Sequence, residues 1–89
     1  MEEHIKTKIK IAKCVKDTGT QGIEWEKAKD KLDLTDSNLI TFVSSGRGRL
    51  SELVAIDIQE YGGPRILMPY EKLYYMDESE IESYLTEEL

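Results

Sequence analysis

Residues 22–43 decide the fold, and they read Gly-Ile-Glu-Trp-Glu-Lys-Ala-Lys-Asp-Lys-Leu-Asp-Leu-Thr-Asp-Ser-Asn-Leu-Ile-Thr-Phe-Val. The spacing of apolar residues predicts a helix over 23–32, with glutamates near its start and lysines near its end, as the helix dipole favours. A tight turn follows, and either Thr35 or Asp36 can cap another helix that runs to about Ser45. The stretch therefore predicts two helices joined by a short turn.

The helix predicted over about 36–45 has two different sides. On a helical wheel one arc is apolar, and the opposite arc carries small polar residues. We expect the first arc to face the core and the second to face solvent or a ligand. The apolar arc consists of Leu39, Ile40, Phe42 and Val43, and the polar arc consists of Ser37, Asn38, Thr41, Ser44 and Ser45.

The segment before this stretch, residues 5–16, fits two patterns. Isoleucines that alternate with lysines suit a strand, whereas Ile5, Ile9, Ala12 and Val15 share one side of a helix. We predict the helix, mainly because a break with two glycines follows at 17–22 and leads into the next predicted helix.

The segment after it predicts a β-hairpin and a last helix. Residues 53–61 and 65–68 suit two strands around Gly62-Gly63-Pro64, and Pro69 is expected to stop the second strand. Asp77 can cap a helix over 78–88. We therefore expect a main domain over 1–76 and an acidic amphipathic helix over 77–89.

The predicted order is helix, glycine-containing loop, helix, tight turn, capped helix and hairpin. Over residues 5–70 this order resembles the winged helix-turn-helix superfamily, in which a leucine ends the second helix and an apolar residue occupies the turn. Here Leu32 ends the predicted second helix, and Leu34 is the apolar residue in the turn. Thr35 is at the cap of the third helix. The resemblance implies an α+β fold of three helices, a β-hairpin wing and a C-terminal helix.

The same resemblance implies a double-stranded DNA partner, with the third helix in the major groove and its N-terminal half toward the bases. Asparagine can pair with adenine, and hydroxyl groups can bond to base edges or phosphates. Arginines next to glycines and near the hairpin tip suit contacts with the DNA backbone. The alternative for all of them is a solvated polar surface. The candidate DNA-binding residues are Ser37, Asn38, Thr41, Ser45, Arg47, Arg49 and Arg65.

The charge distribution weakens the link to DNA. The net charge is −6, and residues 77–89 hold six carboxylates and no basic side chain, so the rest of the chain is neutral overall. A neutral body attracts phosphates less than a basic domain does. A winged-helix module that binds protein rather than DNA is therefore the alternative to a DNA-binding transcriptional regulator.

The remaining patterns predict neither an enzyme nor a cofactor or metal site. His4 stands without a nucleophile pattern, and Cys14 lies in an apolar pattern that suits a buried small residue. Asp30, Asp33 and Asp36 surround a turn and a cap, so we expect structural roles for them. No apolar run approaches the length of a membrane span, and the N-terminus has no signal-peptide core, which predicts a cytoplasmic protein.

Self-association is a further expectation. The C-terminal helix has too little apolar surface to be stable alone, so it must pack on the body or on a second copy. Terminal helices often join domains of the winged-helix superfamily, and this resemblance predicts a homodimer. Four tyrosines near the hairpin suit a core edge or a dimer contact better than a base-stacking surface: Tyr61, Tyr70, Tyr74 and Tyr75.

Overall fold

A computed structural model of the chain describes residues 3–44, 48–58 and 65–87. This part of the chain forms five α-helices and a three-stranded antiparallel sheet with the strand order β1-β3-β2. Two short 3₁₀ helices lie at Gly19–Gln21 and Arg49–Glu52. The main elements are α1 (Glu3–Asp17), β1 (Ile23–Glu24), α2 (Trp25–Leu32), α3 (Asp36–Ser44), β2 (Val54–Ile58), β3 (Arg65–Pro69), α4 (Glu71–Tyr74) and α5 (Glu78–Thr86).

Helix α1 confirms the helical alternative for the first segment. Ile5, Ile9, Ala12 and Val15 are buried, as the helical pattern predicts. Ile11 and Cys14 are buried as well, because α1 packs against α2, α5 and β3 on different sides. The isoleucine alternation that suits a strand is therefore explained by a helix whose buried face is unusually wide.

Strand β1 was not predicted, and it shortens the second helix at its start. Ile23 pairs with Leu67, and Glu24 pairs with Ile66. Gly22 makes this approach possible: its φ is 76°, and a Cβ atom there would lie 2.4 Å from the Leu67 carbonyl oxygen. The prediction of a helix from Ile23 was wrong for two residues, because the backbone of Ile23 and Glu24 pairs with β3, which lies far along the chain.

Helix α3 begins as predicted, and Thr35 is its cap. The Thr35 hydroxyl accepts a hydrogen bond from the Asn38 backbone N–H at 3.1 Å. Leu39 and Val43 are buried, while Ile40 and Phe42 are partly buried against the same core. The predicted apolar arc of the third helix therefore faces inward.

The hairpin strands are confirmed with different ends. Strand β2 begins at Val54, since Leu53 closes the second 3₁₀ helix by donating its N–H to the Leu50 carbonyl at 2.9 Å. Pro69 was expected to follow the end of the second strand. It is instead the last residue of β3 and lies opposite Val54. Proline is tolerated there because it ends the ladder. Residues 59–64, including the predicted glycine turn, lie outside the described residues.

Helix α5 shares the core of the rest of the chain. Asp77 and Glu80 form a reciprocal capping box that fixes its start, as the sequence predicts for Asp77. Ile81 and Leu85 are fully buried, and α5 packs mainly on α1. The apolar face on which the homodimer was predicted is therefore covered by the same chain. Other buried residues that hold the sheet and α4 to this core are Leu50, Leu53, Val54, Leu67, Leu73 and Met76.

Candidate nucleic-acid interface

The outer face of α3 is the surface that the sequence assigns to DNA. Ser37, Asn38 and Thr41 are exposed there, together with Ser44. Thr41 donates its hydroxyl proton to the Ser37 carbonyl at 2.9 Å, as Ser44 does to the Ile40 carbonyl. These hydroxyl oxygens keep lone pairs for a ligand, because each uses only its proton in the helix. The face can therefore accept hydrogen bonds at several points, and Asn38 adds an amide group.

The N-terminus of α3 is tied to the start of α2 by a side-chain bond. The indole N–H of Trp25 donates to Asp36 Oδ1 at 2.6 Å, and the Trp25 side chain is almost fully buried. The Lys29 ammonium lies 3.6 Å from the same oxygen and also bonds to Glu26 at 3.2 Å. This network links α2 to the start of α3, the helix that carries the outer face.

The network keeps Asp36 ionised. The hydrogen bond from Trp25 lowers the pKa of Asp36 below its ordinary value, and the positive charges of Lys29 and Arg65 lower it further. Partial desolvation acts in the opposite direction and is outweighed. A negative charge therefore lies at the start of the helix that was predicted to enter the major groove. This charge interacts favourably with the positive end of the helix dipole, and it repels an approaching phosphate.

Arg65 is placed beside this network. It is the first residue of β3, its side chain is exposed, and its guanidinium carbon lies 5.7 Å from the centre of the Trp25 ring. Its charge acts on Asp36. The structure therefore brings Arg65 near Asp36 at the start of α3, although the sequence separates the two residues by more than twenty positions.

Arg49 is placed elsewhere, against the C-terminal helix. Its Nη1 atom lies 2.6 Å from Glu87 Oε2 and 3.1 Å from the Tyr84 carbonyl, and the guanidinium carbon lies 4.7 Å from the centre of the Tyr84 ring. The hydrogen bond and charge of Glu87 raise the pKa of Arg49 above its ordinary value. Residue 49 starts a 3₁₀ helix that packs against α3 and α5. Ser45 and Arg47 lie outside the described residues.

Two features of this region were missed in the sequence. The bond between Trp25 and Asp36 had a partial signal, since an aromatic residue at the start of one helix and a carboxylate at the start of the next can meet across a tight turn. The cluster around Tyr84 had no local signal. Lys72 donates to the Tyr84 hydroxyl at 2.8 Å, and that hydroxyl donates to Glu52. Residues from three separate segments form this cluster.

The described residues do not suggest metal chemistry or a membrane span. Across residues 3–44, 48–58 and 65–87, no three His, Cys, Asp or Glu side chains are grouped as metal ligands would be. Among the helices of these ranges, none has the length and apolar character needed to cross a bilayer. Burial raises the pKa of the Cys14 thiol, with a smaller opposing effect from Lys31. The thiolate is therefore disfavoured there.

Comparison with known proteins gives no relative. No family model, no curated protein and no solved structure matches the chain.

Proposed function

We propose that this chain is a winged helix-turn-helix domain that binds double-stranded DNA and acts as a transcriptional regulator. In this proposal α3 enters the major groove, with Ser37, Asn38 and Thr41 toward the base edges. Arg65 contacts the phosphate backbone from the start of β3. The order of the described elements supports the proposal, because α1, α2, the tight turn, α3 and the hairpin strands follow one another as in that superfamily.

One observation carries the proposal: α3 is buried on one side and open on the other. Leu39 and Val43 hold the helix to the core, while Ser37 and Asn38 in its first turn are exposed. A helix that reads DNA needs a fixed apolar side and an accessible N-terminal half. The groups on that half suit base edges, since an asparagine amide can pair with adenine and hydroxyl groups can accept or donate.

The proposal includes neither Arg49 nor a homodimer. Arg49 is held by Glu87 and Tyr84, so contact with a phosphate would require the loss of an existing ion pair. The apolar face of α5, on which the dimer was expected, is buried against α1. The proposed complex is therefore a single domain on DNA, with few phosphate contacts and modest affinity.

Fluorescence anisotropy with a labelled random-sequence duplex tests the proposal. The duplex of about 20 base pairs is titrated at about 50 mM and about 200 mM salt, and binding is expected to weaken with salt in proportion to the number of phosphates contacted. Arg65→Ala should weaken binding on every duplex and reduce the salt slope by about one. Asn38→Ala should relax the preference for adenine at one position of a duplex selected from the random pool.

Lys10→Ala is the matched control, because it removes the same charge from an exposed position on α1. We expect the Lys10→Ala protein to bind like the unmodified chain. A flat response at the lower salt concentration would exclude DNA binding. Equal losses for Lys10→Ala and Arg65→Ala would show that net charge alone attracts the duplex and that Arg65 has no specific role.

A protein-binding module is the second candidate, and the charges favour it. Residues 36–44 contain no lysine or arginine and one carboxylate, Asp36. Such an uncharged polar surface suits an interface with a protein better than it suits contact with phosphates. In this case the duplex titration stays flat at both salt concentrations, and the chain is recovered in a stable complex with a protein.

A further inference from the structure

Three exposed tyrosines form a second surface, which we call the tyrosine face: Tyr70, Tyr74 and Tyr75. Their exposed fractions are 48%, 46% and 73%, and no other large apolar or aromatic side chain in the described ranges is as exposed. They were expected at a core edge or a dimer contact, and their exposure is compatible with either place. Neighbouring exposed aromatic rings are uncommon on a protein that needs them only for its own fold.

Two of the three rings of the tyrosine face, Tyr74 and Tyr75, line open clefts. The Tyr74 and Tyr75 rings are 5.3 Å apart, with the edge of one against the other at 90°. Tyr75 lines both clefts. The first, of about 290 Å³, also contains Thr20, Pro69, Glu71 and Tyr74. The second runs along α5 past Ser79, Glu80 and Ser83, and Lys72 lines it as well. An extended chain laid across Tyr75 could reach both clefts.

Negative charge surrounds this face. Residues 70–80 carry four carboxylates and one lysine, a net charge of −3, and all five charged side chains are exposed. Two nearby cations, Lys72 and Lys16, form hydrogen bonds with neutral groups and keep their charge. Lys72 donates to the Tyr84 hydroxyl, and the Lys16 ammonium donates to the Tyr74 carbonyl at 2.9 Å. The surface therefore combines aromatic rings with more carboxylates than cations, and these carboxylates are Glu71, Asp77, Glu78 and Glu80.

We propose that the tyrosine face binds a positively charged, extended segment of a partner protein, with an arginine or lysine side chain over the Tyr75 ring. A ring face attracts a cation electrostatically, and neighbouring carboxylates add to that attraction. The same carboxylates would repel the phosphates of a nucleic acid, so bases are not expected to stack here. This face is separate from the outer face of α3, since α4 packs on α1 and β3 whereas α3 packs on β2 and the second 3₁₀ helix.

Fluorescence anisotropy with a labelled peptide of alternating arginine and glycine, about ten residues long, tests the proposal. We expect Tyr75→Ala to weaken peptide binding about threefold or more, because the cation–π contact is lost. Tyr75→Phe should bind the peptide like the unmodified chain, because the ring remains. Neither substitution changes the net charge. Since Tyr75 is the most exposed of the three rings, both variants should fold normally, as circular dichroism can verify.

Two charge variants complete the test. Glu71→Gln should weaken peptide binding, while Glu3→Gln, which removes the same charge from an exposed position on α1, should not. Equal losses from these two variants, or unchanged binding by Tyr75→Ala, would overturn the proposal, as would the absence of peptide binding. Asn38→Ala and Arg65→Ala should bind the peptide normally. The failure of DNA binding and the failure of peptide binding are thus separate results.

Discussion

The outer face of α3 and the tyrosine face differ in the kind of partner that each can hold. The α3 face offers small hydroxyl and amide groups, with Asp36 at its start and Arg65 beside it. The tyrosine face offers aromatic rings within a segment of net charge −3. The first can match the hydrogen-bonding groups of base edges, and the second would repel phosphate while attracting cations. One small domain thus presents two surfaces with opposite electrostatic preferences.

The two surfaces are also supported differently. The α3 face depends on the bond between Trp25 and Asp36 and on β1, whereas the tyrosine face depends on α4 and on the capping box of α5. Both supports reach one shared core through α1. The acidic C-terminal helix therefore packs into the same core as α3.

The largest effect is expected from removing buried leucines on either side of the core. Leu39 of α3 and Leu85 of α5 are both fully buried, and truncating a buried leucine to alanine typically costs about 2–5 kcal/mol. We expect Leu39→Ala and Leu85→Ala to lower the free energy of unfolding by similar amounts, as measured by urea denaturation. Tyr75→Ala is the exposed control and should change it little. If Leu85→Ala also left stability unchanged, α5 would not belong to the core.

The next effect tests β1, which joins α2 to β3. Gly22 has a φ of 76°, and a Cβ atom there would meet the Leu67 carbonyl oxygen, so Gly22→Ala combines backbone strain with a clash. We expect a loss of about 2–4 kcal/mol in the free energy of unfolding. Gly19→Ala is the matched control: its φ is 68°, and nothing lies within 4 Å of the added atom. It should cost about 1–2 kcal/mol from strain alone.

Hydrogen exchange can locate the effect of Gly22→Ala. Because β1 joins α2 to β3, amide protection should fall more in α2 and α3 than in α5. A uniform fall across the chain would contradict separate supports for the two surfaces. Equal stability losses for Gly19→Ala and Gly22→Ala would show that the close approach to Leu67 is unimportant.

Local patterns in the sequence were sufficient to predict much of the fold. The apolar arc of α3, its cap at Thr35 and the cap of α5 at Asp77 depend on residues within a few positions of each other. Strand β1 and the exact ends of the hairpin were not predictable in this way. They depend on pairing with residues more than ten positions away, such as Leu67 with Ile23.

The candidate site was predictable only in part, for the same reason. Exposure of Ser37, Asn38 and Thr41 follows from the helical period of α3. The ion pair of Arg49 with Glu87 was not predictable, because Glu87 lies far along the chain and a glycine-flanked arginine gives no local sign of such a contact. The exposure of the tyrosine face was also not predictable, since aromatic residues after a strand usually pack inward.

The smallest effect on stability is expected from Asp36→Asn, and it distinguishes the two surfaces most directly. Asparagine keeps an oxygen for the Trp25 N–H but removes the charge that faces Lys29 and Arg65. The pKa of Asp36 is lowered in the folded chain, so its contribution to stability is present above its unfolded pKa and is lost as the pH falls through the folded value. The unmodified chain and Asp36→Asn should therefore differ slightly in Tm at neutral pH and converge in acid.

The same substitution removes the negative charge from the start of α3. We expect the Asp36→Asn protein to bind the random duplex about two- to threefold more tightly at low salt, since exposed single charges have effects of this size. Its binding of the arginine–glycine peptide should not change, because Asp36 does not line either cleft at the tyrosine face. Weaker peptide binding by Asp36→Asn, or unchanged duplex binding, would show that the charge of Asp36 does not separate the α3 face from the tyrosine face.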